Sequence, residues 1–253
     1  MPGKRWLYAV QMSRTLCHLR LAAIIAAAMP AAKAGAAEEF VRARAGTNAD
    51  AARMANEAVA QIRAGNDLDG ARRKLDAAIQ LDPTFWPAFF TRAQVNFEQK
   101  RWAAAAEDAT AALRGRPWFA ASALIRAVAN ARLGKYGASA AELEHIISLQ
   151  PKGTTYPSAL NHLAWLRATC PDASIRDGGQ AITYAKRACA LTAWKRGAPI
   201  DTLAVSYAEA GDFESAIRYA EQAIRAGDLS PATMSDVQHH LASFRGRQPI
   251  RMK

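Results

Sequence analysis

Histidine and carboxylate side chains are the residues of this chain that could bind a metal ion, and their spacing decides whether they do. His145 and His162 are isolated from each other and from the remaining pair. His239 and His240 are adjacent, so on a helix they point about 100° apart and cannot both face one metal ion in the usual i, i+4 arrangement. Asp236 and His240 do have that spacing. One such pair is weak support for a site, and we expect neither a bound metal ion nor a cofactor.

The segment "CPDASIRDG" is where an enzymatic alternative, a hydrolase or envelope-remodelling enzyme, would place its site. Asp172 and Asp177 frame the segment, and Arg176 lies between them. Aspartates around a loop usually form turns and cap helices, and we interpret this pair in that way rather than as catalytic carboxylates. The sequence also contains no P-loop, GxGxxG, HExxH or G-x-S-x-G motif. A protein without catalytic activity is therefore the favoured interpretation.

Prolines recur at a fixed interval through the middle of the chain. Pro83, Pro117 and Pro151 follow one another 34 residues apart. Because proline lacks the amide hydrogen that a helix interior requires, each marks a place where one helix ends before another begins. Pro87 suits the first turn of the next helix, so "FWPAFF" is predicted to be a junction between two repeats. Its aromatic residues are expected to pack between the repeats.

Small residues stand at matching offsets in successive intervals. Ala93 and Ala105 are 12 residues apart, and so are Ala127 and Ser139. Small side chains at such places let two antiparallel helices approach closely, so each interval is predicted to be a helical hairpin. In the first interval Val59 occupies the place where a small residue is expected.

The predicted turns of the hairpins are "AGNDLDG", "EQKRW" and "RLGKYG". Asp67 is expected to cap the second helix of the first hairpin. Gly65 and Gly134 can adopt the positive φ that a tight turn requires. These local features support the hairpin assignment independently of the proline interval.

The pattern resembles the tetratricopeptide repeat, a helix–turn–helix unit of 34 residues that ends in proline. The bulky residue that opens the second helix in this family is matched by Leu68, Trp102, Tyr136 and Phe213. Asn96 and Asn130 depart from the family, which favours tyrosine there. The resemblance covers about residues 52–244.

Two later segments resemble a variant found at the ends of many bacterial repeat proteins. "LAWLRATCPD", "RDG" and "IDTL" carry this likeness, and Ala164 and Ala181 are 17 residues apart, which indicates five residues inserted in the turn. "SPATMSDVQHHLASF" is expected to be a helix that caps the last repeat. The resemblance implies an all-α fold, an α-solenoid of about five helical hairpins with a C-terminal capping helix.

The predicted organisation has a leader, a short linker or partial helix, a repeat array and a capping segment. These occupy residues 1–36, 37–51, 52–228 and 229–253, and the five repeats occupy residues 52–85, 86–119, 120–153, 154–196 and 197–228.

The resemblance also implies a function, because the first helices of such hairpins line a concave face that binds a peptide or protein partner. The chain is therefore predicted to be a scaffold or adaptor whose groove holds an apolar anchor of the partner, a helix or extended peptide, against Phe90, Phe97 and Trp165. The alternative, that these aromatics only pack between neighbouring repeats, stays open. An alternative function is that of an accessory subunit of an envelope complex, in which the protein is held by its convex surface. The predicted groove comprises Phe90, Gln94, Phe97, Leu124, Val128, Arg132, Asn161 and Trp165.

The first 37 residues have the pattern of a secretory signal peptide. Five basic residues and no acid precede or flank the apolar run "LAAIIAAAMPAA". Cleavage is expected after Ala34 or Ala36, and Met12 is an alternative start to Met1. An apolar run of about twelve residues is shorter than the roughly 20 that span a bilayer, which disfavours a membrane anchor. The mature protein is therefore predicted to be periplasmic or secreted, without stable membrane insertion.

The net charge of +11 would suit nucleic-acid binding, but the charge is concentrated at the two ends. Without the five basic residues of the leader and the four of the last nine positions, the chain has 24 basic and 22 acidic residues. We therefore expect no nucleic-acid partner. The basic tail is interpreted as a solvated end, with binding to an anionic surface as the minority alternative.

Cys170 and Cys189 are the cysteines that remain after leader cleavage. Cys189 is 12 residues into a helix expected to start at Asp177, about 18 Å along its axis, whereas Cys170 precedes that start. The sulfurs should be too far apart for a disulfide bond, so buried free thiols are predicted.

Overall fold

The computed structural model describes residues 48–65 and 67–252, and the predicted leader lies outside them. In this part of the chain eleven α-helices follow one another, without a β-strand. We number them in chain order: α1 Ala49–Arg63, α2 Leu68–Leu81, α3 Trp86–Glu98, α4 Trp102–Gly115, α5 Ala120–Arg132, α6 Tyr136–Leu149, α7 Thr155–Thr169, α8 Gly178–Leu191, α9 Gly197–Glu209, α10 Phe213–Arg225 and α11 Pro231–Arg245.

Successive helices form hairpins. α1 packs on α2, α3 on α4 and α9 on α10, and the second helix of one hairpin also contacts the first helix of the next, as α2 does with α3 and α8 with α9. Five pairs of helices are followed by the single helix α11. The all-α fold of about five hairpins and a capping helix is confirmed.

The chain divides into two compact units. The N-terminal unit contains the described residues up to 142 together with 153–155, and the C-terminal unit contains 143–152 and 156–252. The division falls within α6.

The small residues that predicted the hairpins are all buried in the helix contacts. In the N-terminal unit, Ala93 of α3 and Ala105 of α4 have no exposed surface, and neither does Ser139 of α6. Equivalent residues of the C-terminal unit are equally buried: Ala164, Ala181, Ala188, Ala204, Ala216 and Ala223. A larger side chain at these positions would force the helices apart, so the predicted register is confirmed.

The predicted turn chemistry is also confirmed. The Asp67 carboxylate accepts a hydrogen bond from the Gly70 amide at 2.9 Å and caps α2. Gly65 and Gly134 have φ angles of 71° and 76°. Lys100 holds the corresponding place in the turn after α3 with a φ of 59°, which costs free energy for a residue with a Cβ atom.

The expectation that Val59 replaces the small residue of the first hairpin is wrong. Ala58 is fully buried, whereas Val59 keeps part of its surface exposed. Four residues separate Arg63 from Leu68, whereas three separate Glu98 from Trp102, so the longer first turn moves the small position one residue towards the N-terminus.

The aromatic residues of "FWPAFF" pack at the junction between repeats, as predicted. Phe85 is buried in the core cluster of α1 to α3. The Trp86 ring meets the Phe119 ring edge-on at a centroid distance of 5.1 Å. Pro87 lies in the first turn of α3, where no intrahelical donor is needed.

The inserted segment between α7 and α8 is a loop built by its own aspartates. The Asp172 carboxylate accepts hydrogen bonds from the amide and hydroxyl of Ser174 at 2.9 and 2.7 Å. The Asp177 carboxylate accepts from the Gln180 amide at 2.8 Å and caps α8. Both carboxylates thus serve the turn and the cap, as the sequence favoured.

α11 closes the C-terminal unit. Its first turn is capped by the Ser230 hydroxyl, which accepts from the Thr233 amide at 3.2 Å. Val237 and Phe244 are fully buried in the same apolar cluster as α9 and α10. The helix therefore covers apolar surface that the last hairpin would otherwise expose to water.

Candidate functional site

A repeated arginine fixes the first helices of the N-terminal unit. The Arg92 guanidinium donates to Asp108 at 2.6 and 2.9 Å and to Asp76 at 2.7 Å, so it joins α3 to the second helices of two hairpins. Arg126, 34 residues later, donates to Glu142 at 2.6 Å. The 34-residue interval between Arg92 and Arg126 is visible in the sequence and indicates that the two arginines have equivalent places in their repeats.

Asn96 completes this arrangement. Its side-chain amide donates to the Asp108 carboxylate at 2.9 Å, and both side chains are buried. The asparagine that departs from the family's tyrosine thus belongs to the buried polar network of α3 and α4.

The predicted groove residues of the N-terminal unit fall into two groups. Phe90, which is 4% exposed, is buried together with Gln94 and Val128. The Phe90 ring meets the Phe119 ring edge-on at 4.8 Å, which is the packing alternative that the sequence left open. Leu124 is partly exposed, and Arg132 is exposed.

Phe97 and Arg132 both contact Trp102, which was not among the predicted groove residues. The Phe97 ring lies edge-on to the Trp102 ring at 5.1 Å. The Arg132 guanidinium lies over the same Trp102 ring at 5.8 Å. We call Phe97, Trp102 and Arg132 the N-terminal patch. It places apolar surface next to a cation.

The predicted groove residues of the C-terminal unit both lie on α7. Asn161 and Trp165 are partly exposed, and the side-chain amide oxygen of Asn161, Oδ1, accepts no hydrogen bond from the described residues. The Trp165 ring lies 5.7 Å from the His240 ring of α11. Trp165 therefore packs against the capping helix as well as the core of this unit.

Asp201 and His240 form a buried pair beside Trp165. His240 Nδ1 is 3.1 Å from both carboxylate oxygens of Asp201. Burial lowers the pKa of His240, but the hydrogen bond and charge of Asp201, with a smaller contribution from Asp236, outweigh burial and raise that pKa above its ordinary value. The sequence paired His240 with Asp236 only through their i, i+4 spacing, whereas Asp201 of α9 makes the larger contribution to the pKa of His240.

The C-terminal tail is held on this unit, so its interpretation as a solvated end is wrong for residues 250–252. The Met252 amide donates to the Thr169 carbonyl at 2.8 Å. The Arg251 guanidinium lies 2.6 Å from the Glu209 carboxylate, whose other oxygen accepts from Arg176 at 3.0 Å. Ile250 packs against the apolar cluster. The tail thus joins the inserted loop to the ends of α7 and α9.

Metal binding and thiol chemistry gain no support from the described residues. Within 48–65 and 67–252, no three histidine, cysteine or acidic side chains are grouped to hold a metal ion. Cys170 and Cys189 are buried free thiols. Burial raises the pKa of the Cys189 thiol to about 12, which keeps it protonated and poorly nucleophilic. None of the described helices combines the length and hydrophobicity that a membrane crossing requires.

Comparison with protein-family models and with curated proteins finds no match. Solved structures are similar. PilW, a widely conserved type IV pilus biogenesis factor, is 20% identical with a TM-score of 0.66, and the alignment covers 79% of this chain and 88% of PilW. A thermophilic TPR protein of Thermus thermophilus is 16% identical with a TM-score of 0.57, covering 77% of this chain and 98% of that one.

MamA is a third structure of this kind, 18% identical with a TM-score of 0.54, covering 67% of this chain and 93% of MamA. Likeness at these identities concerns the fold, and it agrees with the hairpin pairing, the buried small residues and the turn geometry described above. The chain therefore has the fold of a tetratricopeptide repeat protein.

Proposed function

We propose that this protein is a non-enzymatic scaffold or adaptor that binds a peptide or protein partner on the first helices of its hairpins. The observation that supports it most is the N-terminal patch, where α3 and α5 contact each other and Phe97 and Arg132 both lie against the Trp102 ring. One hairpin thereby supplies an apolar surface, and the next hairpin supplies a cation at its edge.

The chemistry of the patch defines the partner segment. An apolar side chain would lie against Phe97 and Trp102, and a carboxylate would pair with Arg132. Arg132 forms no ion pair with a described carboxylate, whereas Arg92 and Arg126 in the same unit are fully engaged. Its charge is therefore available to a partner.

Site-specific photocrosslinking in cells tests this proposal. A benzophenone amino acid at Leu124 should give one dominant protein adduct, and the same group at the exposed Glu107 of α4 serves as the matched control. Adding Phe97→Ala should weaken the affinity for the partner about five- to hundredfold, the usual effect of truncating an interface anchor. The yield of the adduct should therefore fall. Equal adducts from positions 124 and 107, or no effect of Phe97→Ala, would contradict the proposal.

We further propose that the protein acts in the periplasm or outside the cell. The support is the basic and apolar composition of the first 37 residues. The mature chain should begin near Gly35 or Ala37, as measured by intact mass of the protein purified from cells. A mass that retains Met1 or Met12 would exclude cleavage.

A further inference from the structure

Three aromatic rings form a continuous stack in the C-terminal unit. Trp194, in the turn between α8 and α9, stacks on Tyr219 of α10 with ring centroids 6.2 Å apart and planes 23° apart. Tyr219 in turn stacks on Tyr207 of α9 at 5.4 Å with nearly parallel planes. We call these three residues the aromatic stack. Its outer member, Trp194, is 39% exposed, so one end of the stack is open to solvent.

The backbone holds Trp194 in an unfavourable conformation to place this ring. Ala193 and Trp194 have φ angles of 51° and 58°, in the left-handed region that residues with a Cβ atom rarely adopt. The Trp194 amide donates to the Cys189 carbonyl at 2.8 Å, which stabilises the turn. Two consecutive residues in this region without glycine are costly, and such strain concentrates at functional sites.

Two cations rest on the rings of the stack. Lys186 Nζ lies 5.5 Å from the centre of the Tyr207 ring, and the Arg218 guanidinium lies 5.2 Å from that of Tyr219. No described carboxylate lies within ion-pair distance of either cation, whereas Arg167 and Arg176 of the same unit both have such a partner. The Arg218 guanidinium donates to the Ser215 hydroxyl at 3.2 Å and interacts with the Asp212 carboxylate only at longer range. Contact with a ring face orients a cation without neutralising its charge.

We propose that the aromatic stack, with Lys186 and Arg218, is a second docking surface that binds an acidic peptide segment of a protein partner. An apolar or aromatic side chain of the segment packs on the open face of Trp194, and neighbouring carboxylates pair with the two cations. The surface is separate from the residues of the N-terminal patch and does not depend on that proposal.

The number of cations favours a peptide over a nucleic acid. Proteins that bind nucleic acid tightly neutralise about six to ten phosphates. The stack offers two cations beside one open ring, which matches a short acidic segment with a single anchor.

Binding can be measured on the full-length protein with a fluorescein-labelled peptide, Glu-Glu-Phe-Glu-Glu-Gly. Trp194→Gly is the informative variant, because glycine tolerates the positive φ and removes the ring while keeping the turn. We expect it to weaken binding about tenfold, and Lys186→Gln with Arg218→Gln to do the same. Trp118→Ala is the matched control, since Trp118 is a 70% exposed tryptophan ahead of α5 in the other unit, and it should leave binding unchanged.

Any of the following results would overturn the proposal. Equal weakening by Trp118→Ala would show nonspecific attraction to exposed tryptophan. Equal binding of the peptide with glutamine in place of glutamate would exclude recognition of the carboxylates. Tighter binding of a labelled single-stranded oligonucleotide than of the peptide would assign the surface to nucleic acid, and no peptide binding at millimolar concentration would remove it altogether.

Discussion

Replacing Asp201 by asparagine should make the stability of the C-terminal unit lose much of its dependence on pH. His240 Nδ1 contacts both oxygens of Asp201 at 3.1 Å, and the two side chains are buried between α9 and α11. Asparagine keeps the shape of the side chain but removes its charge. A protonated ring would then be buried without its countercharge, so the pKa of His240 should fall in this variant.

The expected loss can be estimated from the type of contact. A hydrogen bond to a charged group stabilises a protein by about 1.5–3 kcal/mol. Because both partners are buried, solvent screens the pair little, so we expect a value within this range when His240 is protonated. Asp236 raises the pKa of His240 less than Asp201 does, so Asp236→Asn should cost less than Asp201→Asn.

The sign of the pH dependence follows from the raised pKa of His240. The folded protein holds this proton more tightly than the unfolded chain, whose histidine pKa is about 6.5. The contribution to stability is therefore fully present below pH 6.5 and is lost as the pH rises through the pKa of the folded protein. Asp201→Asn should destabilise strongly near pH 5.5 and little near pH 9.

Urea unfolding at several pH values, with NMR titration of the His240 ring, measures both quantities. The exposed neighbour provides the control, since His239→Gln should leave the pH profile of stability unchanged. A stability loss of equal size at pH 5.5 and pH 9, or an unchanged pKa of His240 in the Asp201→Asn variant, would refute this reasoning.

Three further substitutions test the packing, a turn and the tail. Ala105→Phe should lower the free energy of unfolding by about 1–3 kcal/mol, because this fully buried alanine leaves no room between α3 and α4; an unchanged melting temperature would contradict the register. Lys100→Gly should raise stability by about 1 kcal/mol, because it relieves a φ of 59°, whereas Gly134→Lys should lower it similarly; opposite signs in urea unfolding would contradict the account of these turns. Glu209→Gln removes the ion pair with Arg251 and should speed tryptic cleavage after Arg251, as followed by mass spectrometry; an unchanged rate would mean that the remaining tail contacts suffice.

The sequence by itself determined the local structure. The proline interval of 34 residues and the small residues 12 positions apart predicted where helices end and which faces meet, because both depend on the backbone and on neighbours within one hairpin. Asp67 and Gly65 predicted their cap and turn for the same reason. The one error of register, at Val59, arose because a turn can gain a residue without changing the polarity pattern of its helices.

The tertiary structure alone decided the pairings between distant residues. Asp201 and His240 are 39 residues apart, and Arg251 of the tail reaches back to Glu209. Several carboxylates could have paired with His240 or with Arg251. The sequence does not show which of them the packing of α7, α9 and α11 brings within hydrogen-bonding distance. The sequence predicted that Trp102 opens α4. It did not predict the contacts of Trp102 with Phe97 and Arg132, because the contact with Arg132 forms only when two hairpins stack. Side-chain position across repeats depends on how the helices pack against each other, and that geometry is a property of the folded chain.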